Sequence, residues 1–510
     1  MKNLKKYSFF LLLVLMSTSC GKDFLDVDLQ GKSTALTDPN YTQNLVTGVY
    51  NSLLLGESFG GEGDVHSFAF ISATNIMSDD ADKGSSTSDQ AGTAGQLDEF
   101  THTATNTFVG TLWSGYYTGI SRVNQALQAL DQEKSMDVTA KNKLIAEMRL
   151  IRGYYYFNLV RLYGGVPKVL TVPASVQEAN NSVEFQTRAT KDEIYKVVID
   201  DMQFAVDNLD LKSKSATGHI NKGIAQALLA KVYLYQKNWQ KVLDLTAAVM
   251  NSNQYSLLPD YATIWRQAGD NSAETIFEVK TGSYNNSDYG INNYSMCQGP
   301  RSGGLGGWKD LGWGFCSPTE DLVNAYEPGD SRKNATIIFI DNSGQRKGTL
   351  LYDGFRVPSA DSVQNLRYNY KAYHSENNIT EAFLGNRDRK QKNIHIIRLA
   401  EVILMNAEAA NELGNESDAL LMVNKVRQRA NLKALTTTGK SNIQAAIWKE
   451  RRLELAMEHD RFFDLVRTGR AGVVMRAAGK KFIDGKNEVL PIPSLQIELS
   501  GGKLIQNPNY

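Results

Sequence analysis

The chain has 510 residues, and its 55 basic and 55 acidic side chains give a formal net charge of 0. This balance excludes the basic footprint that nucleic-acid-binding proteins carry. With 22% charged and 42% apolar residues, the composition predicts a folded globular body and excludes a disordered chain.

The first twenty residues predict an exported, lipid-anchored protein. Lysines lead into an apolar run from Phe9 to Met16, and three small hydroxyl residues then precede Cys20. This pattern is typical of a signal peptide, and the run is about half as long as a membrane-spanning helix. A cysteine at that point resembles a bacterial lipoprotein processing site, although Ser17 stands where such sites usually carry Leu. We expect residues 1–19 to be removed and Cys20 to be acylated, which would hold the protein at a membrane surface. An ordinary secretory signal is the alternative.

Two cysteines, Cys297 and Cys316, remain after Cys20. An exported location permits a disulfide between them. The alternative is a pair of reduced thiols in a core or a pocket wall, and the sequence leaves both open.

The first helical block is predicted by its apolar spacing. Residues three and four apart form one apolar stripe, namely Leu144, Met148, Ile151, Tyr155, Leu159 and Leu162. Gly164-Gly165 and Pro167 predict the end of this helix. Thr190 and Glu193 form a capping-box pattern that opens another helix running towards Leu209.

Two segments predict antiparallel helix pairs. Small and apolar residues recur between Ile396 and Ala410 and, after Gly414, between Ala419 and Ala430. The segment from Lys222 to Asn251 repeats this arrangement around a short polar turn. Such pairs resemble degenerate tetratricopeptide units, and their stacking predicts a partial solenoid.

We therefore expect a mainly α fold in which residues 20–510 form one domain. A helical scaffold covers about residues 105–265 and 394–470. An irregular lobe of loops, short helices and short strands covers about residues 56–104 and 268–393. The lobe is rich in tyrosine and tryptophan in its second part, and because disordered chains are poor in aromatics, a folded surface is favoured.

The sequence gives no positive support for catalysis. It lacks the HExxH, CxxC and GxSxG motifs, and its six histidines have no metal-ligand spacing. We expect neither a metal nor a cofactor. A hydrolase would need two carboxylates of the charged segment Glu450–Arg467 as acid and base. Each of these carboxylates has an arginine within about one helical turn, which lowers a carboxylate pKa, so an ion-paired helix is favoured.

Strings of residues along the whole chain resemble the SusD/RagB family of Gram-negative outer-membrane nutrient-binding lipoproteins. They are Cys20–Asp26, Ala146–Phe157 with Leu162–Pro167, Arg398–Ala409, Val423–Arg427, Glu450–Arg452 with Glu458–Arg467, and Pro491–Pro493 with Gln506–Pro508. Each string alone is a weak signal, whereas all of them in the right order are specific.

The resemblance implies a SusD-like fold of tetratricopeptide-like helix pairs whose irregular lobe carries the ligand site. It also implies a partner, a SusC-like TonB-dependent outer-membrane transporter over which the lipoprotein closes as a lid. The expected role is the capture of an oligosaccharide or polysaccharide, or occasionally of another nutrient such as a peptide, at the cell surface. The matching strings are helix-packing motifs, so they support the fold and the partner more strongly than any ligand contact.

Candidate ligand contacts follow from the chemistry of sugars, whose flat C–H faces pack on aromatic rings and whose hydroxyls need polar partners. Trp308 and Trp313, in a glycine-rich loop, are the first candidates. The others are Tyr284, Tyr289 and Tyr294 on an Asn/Ser/Gly segment, Asp79 and Asp80 from the N-terminal loop, and Arg367 next to Tyr368. Burial under the lobe is the alternative for each aromatic. The tryptophans expected in the core are Trp113, Trp239, Trp265 and Trp448.

Three functions follow as hypotheses. The favoured one is a non-catalytic surface protein that binds glycan and delivers it to its transporter. A surface glycoside hydrolase and a purely structural interaction solenoid are the alternatives.

Overall fold

A computed structural model describes residues 38–56, 63–280, 293–301, 312–340, 350–354, 363–373 and 392–510. The predicted signal peptide, residues 1–19, lies outside these ranges, as do four predicted site residues: Cys20, Tyr284, Tyr289 and Trp308.

The described residues are mainly helical. The helices are α1 Tyr41–Ser52, α2 Phe68–Ile71, α3 Ala94–Asp98, α4 Thr107–Gln132, α5 Val138–Tyr163, α6 Val176–Asn181, α7 Val183–Gln186, α8 Lys191–Asn208, α9 Lys222–Tyr235, α10 Trp239–Met250, α11 Asn293–Gln298, α12 Glu320–Ala325, α13 Arg332–Thr336, α14 Leu399–Glu412, α15 Glu416–Arg429, α16 Lys440–Glu454, α17 Arg461–Arg467, α18 Ala471–Ala477 and α19 Ser494–Leu499. None of them is long and apolar enough to cross a membrane.

Short strands connect distant parts of the chain. They are β1 Ala81–Gly84, β2 Thr275–Val279, β3 Phe315–Pro318, β4 Ile337–Phe339, β5 Arg367–Asn369 and β6 Ile394–Arg398. The pairings between these strands are antiparallel, and they join β1 to β3, β2 to β6 and β4 to β5.

The predicted helix pairs are present and stack on one another. Helix α9 packs on α10, α10 on α14, and α14 on α15. The turn within the first pair is fixed by Asn238, whose side chain accepts a hydrogen bond from the backbone N–H of Lys241. Gly414 follows α14 with a φ of +87°, a conformation that favours glycine. The mainly α, tetratricopeptide-like scaffold is confirmed.

Helix α5 lies at the centre of the scaffold, against both α4 and α8. Its C-terminal part is buried on all sides, and Tyr154, Tyr155 and Tyr156 are all buried. Gly119 on α4 permits the close approach of α4 and α5, because a Cβ there would lie 2.3 Å from the Tyr155 ring. The amphipathic helix predicted from the sequence is therefore a central helix.

The helix ends were predicted from local chemistry. Helix α5 ends at Gly164, whose φ is +76°. The capping box that opens α8 is complete, since the Thr190 side chain accepts from the Glu193 backbone N–H and the Glu193 carboxylate accepts from the Thr190 backbone N–H.

The structure differs from the prediction at the start of the second helix pair. Ile396 was expected within the helix, but Ile394–Arg398 forms β6 and pairs with β2. Three β-branched residues fall in this segment, and they suit a strand packed under the scaffold. The helix begins only at Leu399, whose N–H bonds to the Glu274 carbonyl at 3.0 Å.

The N-terminal stretch of the predicted irregular lobe is largely core. Val65, Ile71, Ile76 and Met77 are each fully buried, and they belong to the main hydrophobic core together with α4 and α5. Its many Ser, Thr and Asp residues concealed this packing at the level of sequence, because they form a π-helical turn and buried hydrogen bonds rather than an exposed loop.

Candidate functional site

The candidate site lies where β1 ends beside the beginning of β3. Gly84 pairs with Phe315 and has a φ of +70°, and a Cβ at this glycine would lie 2.5 Å from the Gly314 carbonyl oxygen. Glycine is therefore required for the close approach. This close approach places Ser85 and Trp313 at the same edge of the β1–β3 pair, at the surface of the irregular lobe.

A polar network is built on Ser85. The Ser85 hydroxyl donates to Asp89 Oδ2 at 2.8 Å, and Arg301 Nη1 donates to the same hydroxyl at 2.9 Å. Arg301 also forms an ion pair with Asp89. Hydrogen bonds from Ser85 and Ser86 and the Arg301 charge lower the pKa of Asp89 to about 2. The carboxylate is thus ionised at neutral pH, and it compensates the Arg301 guanidinium.

The segment before β5 also contributes to the site. Asn365 accepts from the Ser85 N–H at 3.2 Å through Oδ1, and its Nδ2 donates to the Gly314 carbonyl at 2.6 Å. The neighbouring Gln364 is exposed, and its Oε1 lies 3.4 Å from the Ser85 hydroxyl oxygen. Asn365 and its neighbour thus connect three segments that are distant in sequence.

Trp313 supplies the aromatic surface of the site. Its ring is half-buried and lies 6.1 Å from the Phe68 ring, at an interplanar angle of 64°. Phe68 in turn contacts Phe315 and Phe108, at 4.5 and 5.1 Å between ring centroids. The indole therefore packs beside this aromatic cluster and is only partly buried.

We call Ser85, Asp89, Arg301, Trp313, Gln364 and Asn365 the β1–β3 site. It combines a half-buried indole with hydroxyl, amide and guanidinium groups whose charges are already paired. Such a surface suits a ligand that has flat apolar faces and many neutral hydrogen-bonding groups. Within the described ranges, no cluster of three metal-ligating side chains occurs.

Of the predicted contacts that the structure describes, Trp313 and Arg367 are the two that are partly exposed. Arg367 is half-buried, and its guanidinium donates to the Pro318 carbonyl at 2.7 Å and to Glu320 at 2.6 Å. It follows Asn365 by two residues and so borders the site.

Asp79 and Asp80 are placed elsewhere, which corrects their assignment as ligand contacts. Asp79 is 3% exposed and accepts two hydrogen bonds of 2.7 Å from Arg461. Asp80 is 1% exposed and accepts from Arg452 Nε at 2.7 Å. Burial raises the pKa of Asp79, but the bonds and charge of Arg461 outweigh it and hold this pKa below its usual range. Both carboxylates therefore tie the lobe to the C-terminal helices.

Tyr294 and Tyr368 are also buried, which is the alternative that the sequence left open for aromatics. The Tyr294 hydroxyl bonds with His459 Nε2 at 3.1 Å. Tyr368 is fully buried in a small second core, and its hydroxyl accepts from the Asn365 N–H at 3.1 Å. Tyr368 thus positions a residue of the β1–β3 site without facing a ligand itself.

The tryptophans that were expected in the core divide into two groups. Trp113 and Trp265 are buried, whereas Trp239 and Trp448 are half-buried on helix surfaces. Trp448 is covered by the Arg470 guanidinium, which lies 4.0 Å from its ring.

The other members of the β1–β3 site escaped sequence reasoning. Ser85, Asp89, Arg301, Gln364 and Asn365 belong to no motif, and their contacts join positions more than two hundred residues apart. The only signal was the Gly84-Ser85 turn and the glycine-rich surroundings of Trp313.

The charged C-terminal segment is an ion-paired core, as the favoured interpretation predicted. Glu454 is fully buried and pairs with Arg332, Arg398 and Arg429. Burial raises the pKa of Glu454, but these arginines outweigh it and hold the pKa far below its usual range. The partners come from other segments rather than from the adjacent helical turn. A carboxylate held ionised in this way cannot serve as a general acid.

The two cysteines are buried and reduced, and they form no disulfide within the described residues. Cys297 lies in helix α11, with its Sγ 3.5 Å from the Tyr294 carbonyl oxygen. Burial raises the pKa of the Cys316 thiol well above its usual value.

Two family models together match most of the chain. Residues 23–234 match one described as "Starch-binding associating with outer membrane", and residues 273–510 match the SusD family. The chain is 25% identical to SusD-like protein P2 of Formosa agariphila over 540 residues, which cover 99% of this chain and 100% of that protein. It is 26% identical to a SusD-like protein of Bacteroides ovatus over 404 residues, covering 73% of this chain and 67% of the relative.

Solved structures share the fold. A laminarin binding SusD-like protein superposes with a TM-score of 0.75 at 29% identity, covering 92% of this chain and 99% of the other. Surface glycan-binding protein A from Bacteroides thetaiotaomicron, in complex with laminarihexaose, superposes with a TM-score of 0.75 at 22% identity and the same coverage, which is evidence for the fold alone. The chain therefore belongs to the SusD/RagB family.

Proposed function

We propose that this protein binds a neutral oligosaccharide or polysaccharide at the cell surface, without catalysis, and delivers it to a SusC-like TonB-dependent transporter. The observation that carries the proposal is the β1–β3 site, where the half-buried Trp313 ring stands beside hydroxyl and amide groups. Because Asp89 compensates Arg301, these two side chains offer hydrogen bonds with no net charge between them.

The relatives support a glycan as the ligand. The solved relative that is 29% identical is a laminarin binding SusD-like protein. Laminarin, an uncharged glucan, is therefore the first probe. The ionised and paired carboxylates of the C-terminal segment support binding without hydrolysis.

Calorimetry with the purified chain tests the proposal. Neutral glycans, laminarin among them, are compared with an anionic polysaccharide such as alginate. We expect saturable binding of at least one neutral glycan, at least tenfold tighter than of alginate, and no release of reducing sugar. An absence of binding to every neutral glycan would contradict the proposal, as would sustained glycan cleavage.

Anchoring and delivery form the second part of the proposal. The lipoprotein-like start supports attachment of Cys20 to the outer membrane, and one matching family is described as associating with that membrane. Co-purification of the protein with its transporter from detergent-solubilised outer membranes tests the partnership. Recovery of the protein without any transporter would contradict it.

A further inference from the structure

A second groove lies beside the first turns of α4. Its volume is about 440 Å³, which falls in the range of small-molecule sites. One wall is α4, which contributes Thr107, Thr111 and Ser114 at spacings of four and three, so these side chains share one helix face. The other wall is the beginning of α19, with Ser494, Leu495 and Gln496.

The two walls are held at a fixed distance by the backbone. The Ser494 N–H donates to the Ala104 carbonyl at 3.0 Å, immediately before α4 begins. Gly110 lines the groove, and a Cβ at this position would meet nothing within 4 Å. The space is therefore built into the way the C-terminal segment docks on α4.

The lining is uncharged and rich in hydrogen-bonding groups. None of its residues has an ionisable side chain. The Thr111 hydroxyl donates back to the Thr107 carbonyl, which leaves its oxygen able to accept. In the part of the chain that the structure describes, the side chains of Thr107, Ser114, Ser494 and Gln496 have no hydrogen-bond partner.

This chemistry selects an uncharged, hydroxyl-bearing ligand. Ser and Thr hydroxyls and the Gln amide both donate and accept, as sugar hydroxyls do. A charged ligand would lose hydration in the groove without meeting an opposite charge. At the start of α4, the Asn106 side chain accepts from the Phe108 N–H at 3.0 Å, so the protein itself satisfies one N–H group of the first turn.

Three neighbouring aromatic rings connect the groove to the β1–β3 site. Phe108, next to Thr107, lies 5.1 Å from Phe68, and Phe68 lies 6.1 Å from Trp313. A ligand longer than a few sugar units can therefore contact both. Two linked contacts raise the apparent affinity for a polymer above that for a short fragment.

We propose that this groove is a second glycan-binding subsite, which holds another part of the neutral chain bound at the β1–β3 site. The inference rests on the proposed function and adds a location and a length preference to it.

The test uses paired variants of the full mature chain and two probes, laminarin and laminaritriose. The groove variant T107V/Q496A removes hydrogen-bonding groups, and T436V/Q428A makes the same changes at exposed positions elsewhere. We expect the groove variant to bind laminarin five- to tenfold more weakly than the control variant, with less than a twofold change for laminaritriose. In a W313A background, the groove variant should remove the residual laminarin binding.

A second variant guards against an effect on folding. Q496W fills the groove with a large side chain. It should weaken laminarin binding as much as T107V/Q496A does, while the thermal unfolding midpoint stays unchanged. Equal laminarin affinity of both groove variants and the control would overturn the subsite while leaving the proposed function intact. Failure of the unmodified protein to bind any neutral glycan would instead overturn the proposed function.

Discussion

Arg398 and Glu454 meet in the interior of the protein, where Nη1 of the arginine donates to the carboxylate at 3.1 Å and both side chains are at most 1% exposed. Arg398 ends β6, and Glu454 ends α16. The pair therefore joins the strand that leads out of the irregular lobe to the last long helix of the scaffold. Glu274, which precedes β2, binds the same arginine.

Removing this carboxylate should strongly destabilise the fold. Glu454→Gln removes the negative charge that compensates the buried guanidinium groups of Arg398, Arg429 and Arg332. Breaking such a buried ion pair typically lowers the free energy of unfolding by about 3–5 kcal/mol. Urea unfolding measures the change. Glu412→Gln is the matched control, because Glu412 forms an exposed pair with Lys440 and should cost at most about 1 kcal/mol. Similar losses for both variants would contradict the central role of the network.

Buried histidines should make part of the stability dependent on pH. Burial lowers the pKa of His66 to about 4, whereas an unfolded histidine titrates near 6.5. Below pH 6.5 the unfolded chain gains a proton that the folded chain does not accept, so this contribution to stability is lost as the pH falls. At pH 5 the loss is about 2 kcal/mol.

The variant His66→Gln isolates this effect. Whole-protein pH profiles do not, since burial also raises the pKa of Glu278 and of Asp64 to about 7, and these groups stabilise the fold as the pH falls. We expect the variant to be less stable than the unmodified protein at pH 7, with this difference reduced by about 2 kcal/mol at pH 5. A difference that is the same at both pH values would contradict the burial of a neutral His66.

Cys297 and Cys316 should react with a thiol reagent only after unfolding. Both are buried in the folded protein, and burial raises the pKa of the Cys316 thiol, which suppresses the reactive thiolate. A thiol reagent should therefore detect none of them in the native state and two in denaturant without reductant. Finding no thiol in denaturant would show that they are oxidised to a disulfide.

Cys20 should determine the location of the protein. Cys20→Ser removes the proposed acylation site, so the variant should leave the membrane fraction, while the unmodified protein remains there until detergent is added. Fractionation of cells followed by immunoblotting measures this. Equal membrane association of both forms would contradict lipid anchoring.

Local chemistry made much of the scaffold predictable. The capping box of Thr190 and Glu193, the turn after Gly164 and the helix pairs all depend on residues close in sequence. The segment around Ile396 was misassigned because its apolar spacing fits a helix as well as a strand, and only pairing with β2 decides between them.

The candidate site was harder to predict because it, too, depends on contacts between residues that are distant in sequence. Asp79 resembles a surface loop residue, yet its partner Arg461 comes from a helix 382 residues away. Arg301 and Ser85 likewise meet across 216 residues. Trp313 was singled out because an indole in a glycine-rich loop has little use in helix packing, whereas short polar residues carry no such signal.

The central claim is that the Trp313 ring holds a neutral glycan, and calorimetric titration of Trp313→Ala tests it most directly. Trp239→Ala is the control, since Trp239 is also half-buried but lies on the scaffold helix α10. We expect the dissociation constant for laminarin, or for whichever neutral glycan the unmodified protein binds, to rise at least tenfold for Trp313→Ala, about 1.4 kcal/mol or more, and to change less than twofold for Trp239→Ala. Unchanged binding by a folded Trp313→Ala protein would contradict the account.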